Sequence, residues 1–90
     1  MPLAIHFKTN STLAQYDEIW KRLEDQGRQD PQGRSYHVSW GDDGSIEVLD
    51  VWESQADFDA FGAVLMPILQ DLGVEATPMI EKTHRIVVAP

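Results

Sequence analysis

The chain has no cysteine, few cations and no apolar run long enough to cross a bilayer, and each shortage removes a class of explanation. Without cysteine there is neither a disulfide framework nor a thiolate-held metal. Seven Lys and Arg against fifteen Asp and Glu leave a net charge of −8. Such a surface repels phosphate backbones and lacks the basic patch that nucleic-acid binding needs, so nucleic acid is not an expected partner. No stretch approaches the ~18 apolar residues of a membrane span. Met1-Pro2-Leu3 opens straight into strand-like sequence with no signal peptide, so a cytoplasmic protein with no membrane partner is expected. No P-loop, Gly-x-Gly-x-x-Gly or nucleophile constellation occurs. His6, His37 and His84 fall on three different strands without metal-ligand spacing, so no metal or other cofactor is expected.

What is present suits one small domain spanning residues 1–90, with 42% hydrophobic residues. A chain of this size buries only about 60–65% of its unfolded surface. Self-association into a homodimer is the expected remedy.

The most informative stretch is Val48-Leu49-Asp50-Val51-Trp52-Glu53-Ser54. It reads as a strand that ends in an aromatic and passes at once into a capped helix. Ser54 is an N-cap, Asp57 lies three residues on, and Phe58, Phe61, Leu65, Ile68 and Leu69 follow at helical spacing. This helix is expected over Gln55–Leu72, with a kink or break near Leu65–Met66 because Pro67 removes a donor and crowds the preceding turn.

Upstream, Leu3 to Lys8 alternates as a strand. Asn10-Ser11-Thr12 offers capping chemistry, and Leu13, Tyr16, Ile19, Trp20 and Leu23 form a helical stripe that stops near Gly27. After a polar loop over Arg28–Gly33, Ser35–Trp40 and Ile46–Trp52 form a hairpin about Gly41-Asp42-Asp43-Gly44. A last strand is expected over Ile80–Val88. The order β-α-β-β-α-β predicts an α+β, ferredoxin-like fold: an antiparallel sheet with two helices on one face.

Pairing Trp40 with Ile46 sets Val38 opposite Val48, Tyr36 opposite Asp50, and Arg34 near Trp52, all under the helices with Leu3, Ile5 and Phe7. The other face then carries Ala4, His6, Lys8, Ser35, His37, Ser39, Glu47, Leu49 and Val51. A second subunit's sheet suits that mixture. A one-residue slip would exchange the two faces of β-strand Ser35–Trp40.

This order, with Val51-Trp52-Glu53-Ser54 leading into Phe58 and Phe61, resembles the dimeric α+β barrel superfamily, and within it the antibiotic-biosynthesis-monooxygenase-like branch. The resemblance covers nearly the whole chain and implies a dimer of face-to-face sheets with a ligand pocket between sheet and helices. Some members oxidise phenolic or quinol-type substrates with dioxygen and no metal or flavin, and others degrade haem. Trp52 and Glu53 match the strand-end motif. Where the aromatic-polyketide oxygenases place an asparagine and a tyrosine, the positions that look equivalent here hold Val48 and Phe58, which neither donate nor accept. Gln55–Leu72 contains no histidine, which disfavours the haem-degrading branch.

Cofactor-free oxygenation needs a base, donors for the developing anion and a dry cavity. Asp50, a carboxylate among Val, Leu and Trp, is the candidate base, with Tyr36 as its partner in the catalytic pair. Trp52, Arg34, Phe58 and His84 are the candidate ligand-binding residues for a small aromatic or polyketide-like compound. The alternative is a non-catalytic dimeric module that binds a small apolar ligand or merely completes its core; in that reading Asp50 is a structural carboxylate bonded to Tyr36 or to a helix N-terminus.

Overall fold

Six elements follow one another in a computed structural model that describes residues 2–90: β1 (Leu3–Thr9), α1 (Leu13–Asp25), β2 (Arg34–Trp40), β3 (Glu47–Trp52), α2 (Gln55–Leu72) and β4 (Ala76–Lys82). The strands form one antiparallel sheet in the order β2-β3-β1-β4, the ferredoxin-like arrangement that the pattern predicts.

Local chemistry starts both helices. Thr12 accepts from the Gln15 backbone N–H at 3.0 Å, and the Gln15 side chain accepts from the Thr12 N–H at 2.9 Å, a reciprocal capping box. α1 stops at Gly27, whose φ of +68° turns the chain so that Arg28 N–H reaches Leu23 C=O at 2.8 Å. Ser54 caps α2 through the Asp57 N–H at 3.1 Å. The helix continues through Pro67 to Leu72, so the break expected there does not form. Ala63, Met66 and Pro67 are all exposed, and the carbonyl left without a donor lies on the side of the helix that water reaches.

The core lies between the helices and one face of the sheet. Leu3, Ile5 and Trp52 from the strands meet Ile19 and Leu23 of α1 and Phe61, Ile68 and Leu69 of α2. Trp52 is wholly buried, packed edge-on to Phe58 at 5.6 Å and tilted against Phe61 at 5.5 Å.

Two sequence expectations are corrected. The first is the β2–β3 register. Trp40 lies opposite Glu47, Val38 opposite Leu49 and His37 opposite Asp50, one residue away from the expected pairing. Ile46 leaves the ladder because the 41–46 loop is tied to the β1–α1 connection: Gly44 and Ile46 N–H both reach Ser11 C=O, and Thr9 Oγ1 donates to Ile46 C=O at 2.6 Å. Held there, Ile46 joins the interior at 3% exposure. The slip sends His37 to the helix side and puts Tyr36, Val38 and Trp40 on the other face. A bulge at Ser35 restores the alternation, so Arg34 still pairs with Trp52.

The second correction is the last strand. β4 runs Ala76–Lys82, earlier than the Ile80–Val88 expected. Its partner β1 begins at Leu3, which already faces Lys82, and the last contact is Thr83 N–H to Pro2 C=O. Among the described residues no pairing continues beyond Thr83, and Val87 and Val88 are exposed. Pro78 is accommodated because β4 is an edge strand, where a missing donor can face outward.

Candidate functional site

Between α1, α2 and the sheet lies a cavity of about 340 Å³. Its walls are mostly apolar, with Phe7, Trp20, Val48, Phe58 and Leu65 among them. Polar side chains break this surface: Thr9 and Ser11, whose hydroxyls donate to Ile46 C=O and Thr12 C=O, and Tyr16, Arg34, His37 and Asp50, with Asp59 exposed. A cavity of roughly 150 Å³ holds one benzene ring, so this one has room for about two fused rings.

Three of the polar groups form a chain. Asp50 is 4% exposed, and its two oxygens are separately engaged. Oδ1 lies 2.5 Å from His37 Nδ1, and Oδ2 accepts from the Trp52 indole N–H at 3.3 Å. A carboxylate on Nδ1 holds the proton there, which leaves Nε2 as the acceptor. Tyr16 Oη lies 2.8 Å from Nε2 and donates to it. Because the Tyr16 hydroxyl spends its proton on His37, it presents lone pairs toward a ligand. The imidazole is also stacked against the Tyr16 ring and set edge-on to Trp20 at 5.3 Å.

Each element places one member of this chain. β3 brings Asp50 and Trp52 to the helix side two residues apart, β2 supplies His37 opposite Asp50, and the α1 stripe that carries Ile19 and Trp20 also carries Tyr16.

Arg34 closes one end of the cavity. Its guanidinium carbon sits 5.3 Å from the Trp20 ring centre and 5.7 Å from that of Phe61, and Nη2 donates to Gln29 C=O at 2.7 Å. On the surface, away from the cavity, the Arg22 guanidinium is held above its ordinary pKa. It is raised by its hydrogen bond to Asp71 first, then by that to Glu18, and it joins α1 to α2 on the surface.

Asp50, Arg34 and Phe58 therefore stand in the cavity wall, where the sequence had placed them. Trp52 is fully buried and lies behind the wall, while half-buried Trp20 is part of it. Tyr36 is on the opposite face and 54% exposed, so it cannot partner Asp50, whose partner is His37. His84 follows the end of β4 in an exposed segment, because β1 is too short to carry a strand that far. Sequence reasoning missed His37 and Tyr16 as site residues. The signal for Tyr16 was its place in the α1 stripe, and for His37 it was the alternation of β2, read one residue out of step.

On the other sheet face His6 Nε2 lies 2.8 Å from Glu47 Oε1 and stacks on Trp40. Around this pair are Tyr36, Val38, Leu49, Val51 and Met79, half-buried or exposed. Among the described residues no three His, Cys, Asp or Glu groups converge as metal ligands, and no helix is long and apolar enough to cross a membrane.

Fold and cavity together define a ferredoxin-like α+β domain with a two-ring pocket under its helices. The same fold is found in SnoaB, a cofactor-independent oxygenase from Streptomyces nogalater (TM-score 0.64, 14% identity, 96% of this chain and 94% of that one). It is also found in an antibiotic-biosynthesis-monooxygenase-like protein from Deinococcus radiodurans (TM-score 0.62, 10% identity, 100% and 99%). The de novo designed protein Foldit4 shares it as well (TM-score 0.62, 8% identity, 93% and 100%). No protein-family model matches the sequence, and no curated protein matches it significantly. At these identities the likeness is one of fold, and a designed protein in the same group makes plain that fold alone carries no activity.

Proposed function

We propose that this protein is a cofactor-independent oxygenase that binds a compact aromatic hydroxy compound in the cavity and deprotonates it through Tyr16, His37 and Asp50. The observation that carries this reading is the hydrogen-bonded chain from buried Asp50 through His37 to Tyr16, ending in an apolar cavity. Burying a carboxylate costs several kcal/mol unless it is well paired. Here the pairing orients an imidazole whose second nitrogen is left as a base.

In the proposed reaction the substrate's acidic O–H or C–H passes its proton to Tyr16 Oη as Tyr16 passes its own to His37 Nε2. Asp50 stabilises the resulting imidazolium. The electron pair delocalises onto a ring carbon, which reacts with dioxygen to form a C–O bond. The proton returns from His37 to give a hydroperoxide on that carbon, and loss of water with the ring hydrogen there leaves a second carbonyl, so a phenolic O–H and a ring C–H plus dioxygen become a quinone plus water. Apolar walls favour this sequence by keeping bulk water from the carbanion.

The test is oxygen consumption with a two-ring naphthol or naphthalene diol, measured above its background oxidation. His37→Phe should bind the compound while turnover falls by about 10²–10⁴-fold, and Asp50→Asn should lower turnover through loss of the orienting charge. Unchanged turnover in His37→Phe refutes the relay.

A second reading, a non-catalytic binding module, draws on Val48 and Phe58, two wall positions whose side chains offer a ligand no hydrogen bond. Saturable binding without oxygen consumption would favour it. In either reading the chain is proposed to work in the cytoplasm as a homodimer through the sheet face bearing Tyr36, Val38, Trp40, Leu49 and Val51. That face is more apolar than the expected register made it. Light scattering should then give twice the 10.2 kDa chain mass, and a stable monomer at micromolar concentration would rule the assembly out.

A further inference from the structure

Arg34 is a cation with more donors than partners. A guanidinium carries five N–H groups, and among the described residues that of Arg34 makes a single hydrogen bond, from Nη2 to Gln29 C=O. No carboxylate lies within ion-pair distance of it among the described residues, whereas Lys21 is paired with Asp25, and Arg22 with Glu18 and Asp71. Lys8, Arg28, Lys82 and Arg85 make no ion pair either among the described residues, but Arg34 is the Lys or Arg that lines the cavity, and an unpaired cation there calls for a reason.

Its position supplies one. The guanidinium rests against the Trp20 and Phe61 rings, which fix its plane without using its N–H groups. The same Trp20 ring is 5.3 Å from the His37 imidazole and 5.3 Å from the Arg34 guanidinium carbon. Base and cation are therefore no more than twice that distance apart, on one wall of a cavity with room for about two fused rings. Asp59, the other charge near the mouth, is exposed and bonded to Gln55, where water screens it.

We propose that Arg34 seats a carboxylate, so that the ligand is a two-ring hydroxyarene carboxylate whose anionic group lies on the guanidinium and whose ionisable hydroxyl reaches Tyr16 and His37. The inference rests on the proposed function for the cavity and adds the substrate's charge. A planar fork of donors matches a carboxylate in two parallel hydrogen bonds, which a neutral hydroxyl cannot reproduce. The overall charge of −8 works against any anion, so preference for one has to come from a local cation.

The test compares 2-naphthol with 6-hydroxy-2-naphthoate by calorimetric titration of the intact protein. The carboxylate should bind at least about tenfold more tightly, with the advantage shrinking as salt is added. Arg34→Met keeps an apolar stem between Trp20 and Phe61; it should erase that advantage and change naphthol binding by less than about threefold. Equal affinities in the unaltered protein, an advantage insensitive to salt, or an advantage that survives in Arg34→Met would each overturn the proposal. Because the first two comparisons need no variant, they decide the matter even if Arg34→Met does not fold. Naphthol binding with no preference overturns the carboxylate seat alone, whereas failure of both probes to bind overturns the ligand cavity as well.

Discussion

Replacing Trp52 with alanine should remove about 4–6 kcal/mol of stability. The indole is wholly buried, in contact with Phe58 and Phe61, and emptying such a site costs about 3–5 kcal/mol in lost transfer energy and residual cavity. The ring also donates to Asp50 Oδ2 at 3.3 Å, so its loss strips a buried carboxylate of one donor, about 1 kcal/mol or more. A 90-residue domain has roughly 5–13 kcal/mol in all, so the variant should be marginal or unfolded. Trp52→Phe, which keeps most of the apolar volume but not the N–H, should cost about 1–3 kcal/mol. Urea unfolding followed by far-ultraviolet circular dichroism measures both. It should be run at several protein concentrations, because dimerisation adds to apparent stability. A Trp52→Ala variant within about 1 kcal/mol of the parent would mean that the ring is not the centre of the core, and the placement of the cavity wall in front of it would fall too.

Three further outcomes follow from named contacts. Ser54→Ala should cost about 1 kcal/mol in urea unfolding through loss of the cap on Asp57 N–H. Gly41→Ala should cost more than the ~1 kcal/mol of a simple glycine replacement, because φ is +112° there and a Cβ would stand 2.8 Å from Ser45 C=O; a neutral result would refute the loop geometry that sets the register. Asp50→Leu alone should destabilise by about 1–3 kcal/mol because it strands His37 and Trp52 donors; replacing Tyr16, His37 and Asp50 together by Phe, Phe and Leu should cost less than that single change, since only the Trp52 N–H is then left without an acceptor, while abolishing turnover.

The elements were legible because their signals are local. Thr12 and Ser54 begin helices through side chains three residues from their targets, and the apolar stripes of α1 and α2 depend on no distant partner. The register of β2 was not local. It depends on Ser11 C=O capturing the N–H groups of Gly44 and Ile46, a contact across more than thirty residues that periodicity cannot see. That one contact decided which face His37 occupied, and with it the identity of Asp50's partner. Arg34 stayed opposite Trp52, as the pattern predicts, because the bulge at Ser35 cancelled the slip. The extent of β4 likewise follows its neighbour β1, with which it pairs from Thr9–Ala76 to Leu3–Lys82.

The fold does not require the polar chain it encloses. The architecture is shared with a designed protein at 8% identity, and the apolar cluster of Leu3, Ile5, Trp52, Phe61 and Leu69 supplies the burial that holds sheet and helices together. Placing a carboxylate at 4% exposure in that setting costs free energy, which His37 and Trp52 offset only by being aimed at it from a neighbouring strand and from two residues along its own. A chain under selection for stability alone could fill position 50 with another valine or leucine, as at Val48 and Leu49. What Asp50 adds is direction: it fixes which nitrogen of His37 carries the proton, and so fixes the acceptor that Tyr16 presents to the cavity. Arg34, held by two aromatic rings across the same indole, adds a second direction. Two oriented polar groups flanking the Trp20 ring in the wall of a cavity of two-ring size constitute a binding geometry, and the function of this protein is to be sought in the molecule that reaches both.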